Sequence, residues 1–279
     1  MDNLIHKHTI KCKYCSSADI VKYGTFQGMQ RYFCKDCRRK FADNDSLPGM
    51  KTPIWIISLA LSCYFDGMSL AAIQKEINQR HGAYYAQSSI YYWIIRFSAE
   101  AARQAQGFQP NSGGAWFVSK TPAARNNQRL WFLDVFNMDS QYLLVSRLSE
   151  SSTAQDVIEV LDSIHISGKR RTIRPIAVYL SGITVSEIQL IKTEKGKNRH
   201  FLFRQADETS RKLFGLLLKK RCDVVHSFKN MDKAQTTTEA WTAHYNFLAE
   251  NNQKDRKTET PPFKSWDNII ERSIIKVTR

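Results

Sequence analysis

Four cysteines near the start of the chain have the residue types and the spacing to bind a metal ion. They form two C-x-x-C pairs, Cys12 with Cys15 and Cys34 with Cys37. A C-x-x-C pair at the tip of a tight turn directs two thiolates at one ion, and two such pairs complete a tetrahedral Cys₄ zinc site. Redox or disulfide chemistry is the alternative for paired cysteines. The N-terminal residues lack the long apolar core of a secretory signal, which favours zinc.

The stretch between the two pairs predicts the element that holds them. Residues 16–33 alternate apolar and polar side chains around Gly24 and Gly28. This pattern is typical of two short strands joined by a turn, so we expect a zinc ribbon within residues 1–45. A module this small buries too little apolar surface to fold alone. The metal is therefore expected to supply most of its folding free energy.

The charge of the chain indicates a polyanionic partner. Its 279 residues carry a formal net charge of +15, which in most proteins serves nucleic-acid binding. A basic protein without such a partner is the alternative. In the ribbon, basic residues alternate with aromatic ones. This pattern is typical of a surface that contacts a phosphate backbone; the alternative is that the aromatic residues form the ribbon's own core. The candidate DNA contacts of the ribbon are Arg31, Arg38, Arg39 and Lys40.

Residues 46–110 have the sequence signals of three helices. The first predicted helix begins at Pro53, which suits a first helical turn, and ends at Gly67. The second begins after a Ser69 cap and ends at Gly82. Three helices joined by short turns predict a helix-turn-helix DNA-binding domain, and a plain three-helix bundle is the alternative.

The third helix is the predicted recognition helix. Ser88 or Ser89 is expected to cap it, and its first turn would then enter the major groove of duplex DNA. The candidate base and backbone contacts on this helix are Gln87, Ser88, Ser89, Tyr92 and Arg96.

The pattern changes to strands within residues 111–279. Three strands come first, followed by a helix that Ser151 or Ser152 is expected to cap, and then strands and helices alternate. The order β-β-β-α-β-α-β-α predicts a mixed sheet with helices on its faces, as in ribonuclease H-like domains. The predicted fold class is therefore multidomain: a small zinc ribbon (1–45), a three-helix helix-turn-helix domain (46–110) and an α/β ribonuclease H-like domain (111–279).

Several local motifs occur in the order and spacing of a known family. WFVSKT at 116–121 resembles a W-x-V-D-E-T motif, and PIAVYLSG at 175–182 resembles a strand that ends in D-G. HSFKN at 226–230, YNF at 245–247 and TPP at 260–262 resemble G-F-K, Y-N-F and T-P motifs near the family's end. Over nearly its whole length the chain thus resembles bacterial and archaeal insertion-sequence transposases of the DDE class.

The resemblance implies an active site from which the acidic residues have been lost. In the family, two aspartates and a glutamate hold two divalent ions about 4 Å apart, and the ions activate water or a 3′-hydroxyl. The matching positions here are Ser119, Ser181 and Lys212. Neutral hydroxyls replace carboxylates poorly, and a cation repels metal ions. We therefore expect no catalytic residues at these three degenerate positions and no bound magnesium.

Three hypotheses of function follow. The leading one is a transposase-derived protein that binds double-stranded DNA, holds structural zinc and does not cleave strands. The alternative is an active insertion-sequence transposase in which other acids, such as Asp134, Asp139, Asp156 or Glu159, bind the metals. A decayed element without a selected function is the third.

The sequence also gives expectations about the oligomeric state and the location of the protein. A homodimer or a higher oligomer is compatible with the sequence. No run of about 20 apolar residues is present, so we expect no membrane partner and a cytoplasmic, nucleoid-associated location.

Overall fold

The structure of the chain is a computed structural model. It describes residues 10–26, 28–82, 84–106, 114–125, 128–164, 175–196, 202–212, 214–215, 230–249 and 264–273. The chain divides into two compact units. The first unit comprises Met1–Leu59 and Asp267–Arg279, and the second comprises Ala60–Trp266. The motif residues 226–229 and 260–262 lie outside the described residues.

The first unit contains a three-stranded antiparallel sheet. Its strands lie in the order β1 (Ile20–Phe26), β2 (Met29–Cys34) and β3 (Lys40–Ala42). One face of this sheet is packed, because Tyr32 and Phe41 stack at 5.7 Å between ring centroids and form a small core with Cys12 and Cys34. The ribbon predicted from the sequence is therefore present, with β3 added to the two predicted strands.

Three helices follow the ribbon. They are α1 (Ile54–Phe65), α2 (Leu70–His81) and α3 (Gln87–Ala105). The boundaries of α2 are those predicted: the Ser69 hydroxyl accepts a hydrogen bond from the Ala72 N–H, and Gly82 ends the helix with a left-handed φ of 62°. Glycine adopts that conformation without the clash that a Cβ would cause.

The start of α3 differs from the prediction. Its N-cap is Ala86, which offers no side-chain cap, so Ser88 and Ser89 lie inside the first turn. Side chains of α2 fix the turn instead. Gln74 Nε2 donates to the Tyr85 carbonyl at 2.7 Å, and Asn78 Oδ1 accepts from the Tyr85 N–H at 3.1 Å.

The second unit is built on a five-stranded mixed sheet. Its strands are β4 (Ala115–Arg125), β5 (Gln128–Asn137), β6 (Leu143–Ser149), β7 (Ala177–Ser181) and β8 (Leu202–Gln205). They lie in the order β6-β5-β4-β7-β8. The pairs β4–β5 and β5–β6 are antiparallel, and β4–β7 and β7–β8 are parallel. This is the ribonuclease H-like arrangement, and the predicted fold class is confirmed.

One face of this sheet packs against α4 (Ala154–Ser163) and α5 (Val185–Gly196). The shared apolar core includes Trp116, Val118, Leu133 and Val135 from the sheet, Val157 and Leu161 from α4, and Ile188 and Ile191 from α5. The cap of α4 is Thr153, in a reciprocal capping box with Asp156, and neither Ser151 nor Ser152. Ser151 donates instead to the Asp156 carboxylate at 2.9 Å, so the prediction was wrong by one or two residues.

The opposite face of the sheet carries an aromatic cluster. The Phe214 ring lies 4.6 Å from that of Phe117 and 4.8 Å from that of Phe136. Tyr245, on α6 (Met231–Phe247), meets Phe136 edge-on at 5.9 Å. A last helix, α7 (Trp266–Arg272), was not predicted from the sequence. Among the described residues, no helix has both the length and the apolar character to cross a membrane.

Candidate functional site

The four cysteines of the ribbon lie together. All four Sγ atoms are within 4.8 Å of one another, and Cys12–Cys37 and Cys15–Cys34 are each 3.6 Å apart. A disulfide would need a sulfur–sulfur distance of about 2 Å. Tetrahedral zinc with Zn–S bonds of about 2.3 Å instead separates its sulfur ligands by a distance close to the observed 3.6 Å. The donor set therefore fits structural zinc. In the described part of the chain, no other group of three or more potential ligands forms.

The two C-x-x-C turns share one feature of backbone geometry. The residue after each C-x-x-C pair, Ser16 and Arg38, has a left-handed φ of 62° and 57° respectively. The Tyr14 N–H donates to Cys12 Sγ at 3.4 Å. Backbone N–H groups of Cys37 and Asp36 donate to Cys34 and lower its pKa to about 7. These hydrogen bonds thus stabilise the thiolate of Cys34, the form of sulfur that binds metal.

A row of polar residues crosses four strands of the five-stranded sheet. Ser119 on β4 pairs in register with Ser181 on β7. On its other side Ser119 pairs with Asp134 on β5, which pairs with Ser146 on β6. Paired residues point to the same face of a sheet, so these four residues form one polar row. The structure thus brings together Ser119 and Ser181, two of the three positions singled out by sequence.

The chemistry of the polar row does not fit two divalent ions. Its one carboxylate, Asp134, is fully buried and accepts a 2.6 Å hydrogen bond from Ser146 Oγ. The Ser119 hydroxyl shares a 3.1 Å hydrogen bond with Thr121. Paired magnesium ions need several charged oxygen ligands directed at a common space. The row supplies hydroxyls and a single carboxylate.

Lys212, the third position, lies in a helical segment of which residues 208–212 and 214–215 are described. Its ammonium pairs with Glu208 at 2.8 Å, and both side chains are exposed. Phe214, two residues further on, packs against Phe117. Because Phe117 and Ser119 are two residues apart on one strand, this segment covers the face that carries the polar row.

Gly182 fixes the end of β7 beside β4. It has a φ of +70°, and an added Cβ would lie 2.4 Å from the Lys120 carbonyl oxygen. Only glycine meets both conditions without strain. The close approach holds Ser181 next to Ser119 and explains the glycine that ends the PIAVYLSG motif.

An ion pair that the sequence did not reveal lies on the other face of the sheet. Lys120 Nζ is 2.9 Å from Glu187 Oε1, and the two side chains are 11% and 21% exposed. Burial opposes ionisation, but hydrogen bonds from the Thr184 N–H and from Lys120 hold the pKa of Glu187 below its ordinary value. The partners are far apart in sequence, and no local pattern signals their contact.

The candidate DNA contacts of α3 lie mostly on one side of the helix. Gln87, Ser88, Tyr92 and Arg96 are exposed and Ser89 is half-buried, whereas Ile90, Trp93, Ile94 and Phe97 face the core. Arg96 Nη1 donates to the Tyr92 hydroxyl at 3.4 Å. In the ribbon, Arg38, Arg39 and Lys40 are exposed and Arg31 is half-buried.

Comparisons with known proteins give distant matches among solved structures. No protein-family model matches the sequence, and no curated protein does. Among solved structures, the HTLV-2 integrase catalytic core domain in complex with magnesium, in its dimeric form, is 18% identical with a TM-score of 0.35, over 55% of this chain and 94% of that one. The simian T-cell lymphotropic virus intasome in complex with PP2A regulatory subunit B56 gamma is 18% identical with a TM-score of 0.38, over 74% of this chain and 75% of that one. Likeness at this level carries no argument about the present chain, whose fold is assigned from its own strand order.

Proposed function

We propose that this protein is a transposase-derived DNA-binding protein that holds structural zinc and does not cleave DNA. The observation that carries the proposal is the polar row, in which Ser119 and Ser181 lie side by side where the resembled family has metal-binding aspartates. The proposal includes the division into a ribbon (1–45), a helix-turn-helix domain (46–110) and a ribonuclease H-like domain (111–279).

Zinc is proposed from the geometry of the cysteines. Four sulfurs within 4.8 Å of one another match a Cys₄ site. Burial raises the pKa of the Cys12 thiol, so without a cation this thiol would tend to hold its proton. A bound zinc ion would replace that proton and connect the two ends of the ribbon.

Double-stranded DNA is proposed as the partner from charge and from α3. The net charge of +15 favours any polyanion. The exposed side of α3 adds Gln87, Tyr92 and Arg96, which can read base edges or contact phosphates. Self-association as a dimer or larger oligomer on DNA and a nucleoid-associated location belong to the same proposal.

One pair of assays on the purified chain tests the proposal. Duplex binding, followed by fluorescence anisotropy, should weaken by about 10³-fold or more between 50 and 200 mM salt if six or more phosphates are contacted. The same protein with magnesium or manganese should leave end-containing DNA uncut. Cleavage that disappears in Asp134→Asn or Glu208→Gln, in a variant that remains folded, would instead establish an active transposase with relocated ligands.

A further inference from the structure

The second face of the ribbon sheet carries exposed side chains, and none of the buried residues of the described ribbon core lies on it. Tyr32 and Phe41 point into the cysteine core, so the residues that alternate with them point away. Phe33 pairs with Val21 on one side and Lys40 on the other, and all three belong to this second face. We call it the open face, and it comprises Val21, Tyr23, Phe26, Met29, Arg31, Phe33 and Lys40.

Two aromatic rings on the open face are exposed. Tyr23 is 44% exposed and Phe26 is 60% exposed. A β-bulge lies beside Tyr23, where the β1–β2 register shifts between Lys22 and Thr25 and Gly24 has a φ of +91°. Bulges re-aim side chains and are common beside functional sites. Exposed aromatic groups that the core does not need favour a binding role.

Cations hold these rings in place. The Arg31 guanidinium lies 5.7 Å from the Tyr23 ring centre and 5.5 Å from that of Phe26. Lys40 Nζ lies 3.9 Å from the Tyr23 ring centre and donates to the Tyr23 hydroxyl. These contacts orient each ring at little entropic cost and place a positive charge beside it.

The charge of the sheet narrows the class of ligand. The three strands contain Lys22, Arg31 and Lys40 and no acidic residue. A matching ligand is therefore anionic, and it also has flat apolar surfaces that can stack on two rings. Nucleotides combine both features, but paired bases in a duplex already stack on one another. Unpaired nucleotides offer their base faces freely.

We propose that the open face binds single-stranded DNA, with bases stacked on Tyr23 and Phe26 and phosphates held by Arg31 and Lys40. This site rests on the proposed DNA-binding function and adds to it a preference for unpaired strands that α3 does not supply. Strand ends or melted segments next to a duplex site would then be held by the ribbon.

The test compares two forms of DNA on the zinc-loaded full chain. Tyr23→Ala and Phe26→Ala should each weaken binding of labelled oligothymidylate by about 5- to 150-fold, the range for loss of one stacked base. Duplex affinity should stay unchanged in both variants. Tyr23→Phe keeps the ring and should bind oligothymidylate normally. Tyr84→Ala is the matched control, because Tyr84 is 80% exposed but lies outside the ribbon.

The possible results separate this inference from the function on which it rests. Unchanged oligothymidylate binding in both alanine variants, or an equal loss of duplex binding, overturns the single-strand site and leaves DNA binding standing. Failure of the unmodified chain to bind either form overturns the proposed function itself. If a variant loses its zinc, the site is tested instead by crosslinking the unmodified chain to single-stranded DNA that contains 5-iodouracil. Adducts are expected at Tyr23 or Phe26. Adducts found only at other residues would contradict the proposal.

Discussion

At the scale of single residues, the five-stranded sheet places Ser119 beside Ser181 in a row that holds a single carboxylate, Asp134. The sequence motifs matched Ser119 and Ser181 to two positions that share one site in the resembled family, and the structure pairs the two residues in register. The Lys120–Glu187 pair could not be predicted, since a side chain's partner across a tertiary contact leaves no local pattern. Lys120 occupies the position of glutamate in the resembled W-x-V-D-E-T motif. Its charge is compensated by Glu187 on α5.

The glycine after Ser181 provides the first prediction. Gly182→Ala should lower the free energy of unfolding of the second unit by about 2 kcal/mol or more, because a Cβ at 2.4 Å from the Lys120 carbonyl forces the strands apart. Gly215→Ala is the control. Gly215 has nothing within 4 Å of its added Cβ, and alanine there should be neutral or stabilising by up to about 1 kcal/mol. Urea denaturation of both variants measures the difference, and equal effects would contradict the close approach.

The Lys120–Glu187 pair provides the second prediction. Lys120→Met should cost about 1–3 kcal/mol at neutral pH, since it leaves a largely buried carboxylate without its cation. Arg147→Met, which breaks the more exposed Arg147–Glu159 pair, should cost less than about 1 kcal/mol.

The pH dependence of the same pair has a definite sign. Because folding lowers the pKa of Glu187, its contribution is complete above the ordinary glutamate pKa and is lost as pH falls through the lowered value. The stability gap between the unmodified chain and Lys120→Met should therefore narrow in acid. Chemical denaturation across that range measures it, and a gap that widens in acid would contradict the assignment.

At the scale of elements, strand order and most helices were predictable and several boundaries were not. Ser69 caps α2 as predicted, but Ser88 and Ser89 do not cap α3, because Gln74 and Asn78 already fix the turn. Capping residues cluster in loops, and sequence alone does not show which of several neighbours has the extended backbone that a cap requires. Helix α7 was missed because seven residues carry too few turns for a periodic signal.

The ribbon as an element provides the third prediction. One zinc ion should be found per chain, and Cys12→Ser should abolish it and unfold the ribbon, because the metal supplies the folding free energy that so small a core lacks. The unit Ala60–Trp266 should remain folded. Cys63→Ser removes a thiol outside the cluster and is the control. Metal analysis combined with limited proteolysis gives the result, and a full complement of zinc in Cys12→Ser would rule out the Cys₄ site.

Helix α3 provides the fourth prediction. Arg96→Ala should weaken duplex binding by about 1–3 kcal/mol if this helix occupies the major groove. Arg103, two turns further along α3, is paired with Glu100 and serves as the matched control. Arg103→Ala should change duplex affinity little. Fluorescence anisotropy titrations measure the duplex affinity of both variants. Equal losses of affinity would mean that α3 contributes only general electrostatic attraction.

At the scale of the whole molecule, the ribonuclease H-like sheet is stabilised by apolar packing and does not depend on metal ligands. The stacked rings of Phe117 and Phe214 join the helical segment of Lys212 to the sheet. Burial of aromatic side chains on this scale contributes several times the free energy of a single polar contact. Apolar packing of this kind does not require carboxylates at Ser119 or Ser181, which is compatible with the proposed DNA-binding role without strand cleavage.

The whole-molecule prediction is that metal binding can be restored to this framework. Ser119→Asp, Ser181→Asp and Lys212→Glu together place three carboxylates where the resembled family has its ligands. The combined variant should bind manganese detectably, because added negative charge near Asp134 offsets the charge of the ion. A control with the same charge change at exposed sites, Ser151→Asp, Ser186→Asp and Lys233→Glu, should bind no more manganese than the unmodified chain. Isothermal titration calorimetry and manganese electron paramagnetic resonance measure both variants. Equal binding by the two would mean that the three positions do not converge on one ion, and strand cleavage by the unmodified chain would mean that its ligands lie elsewhere.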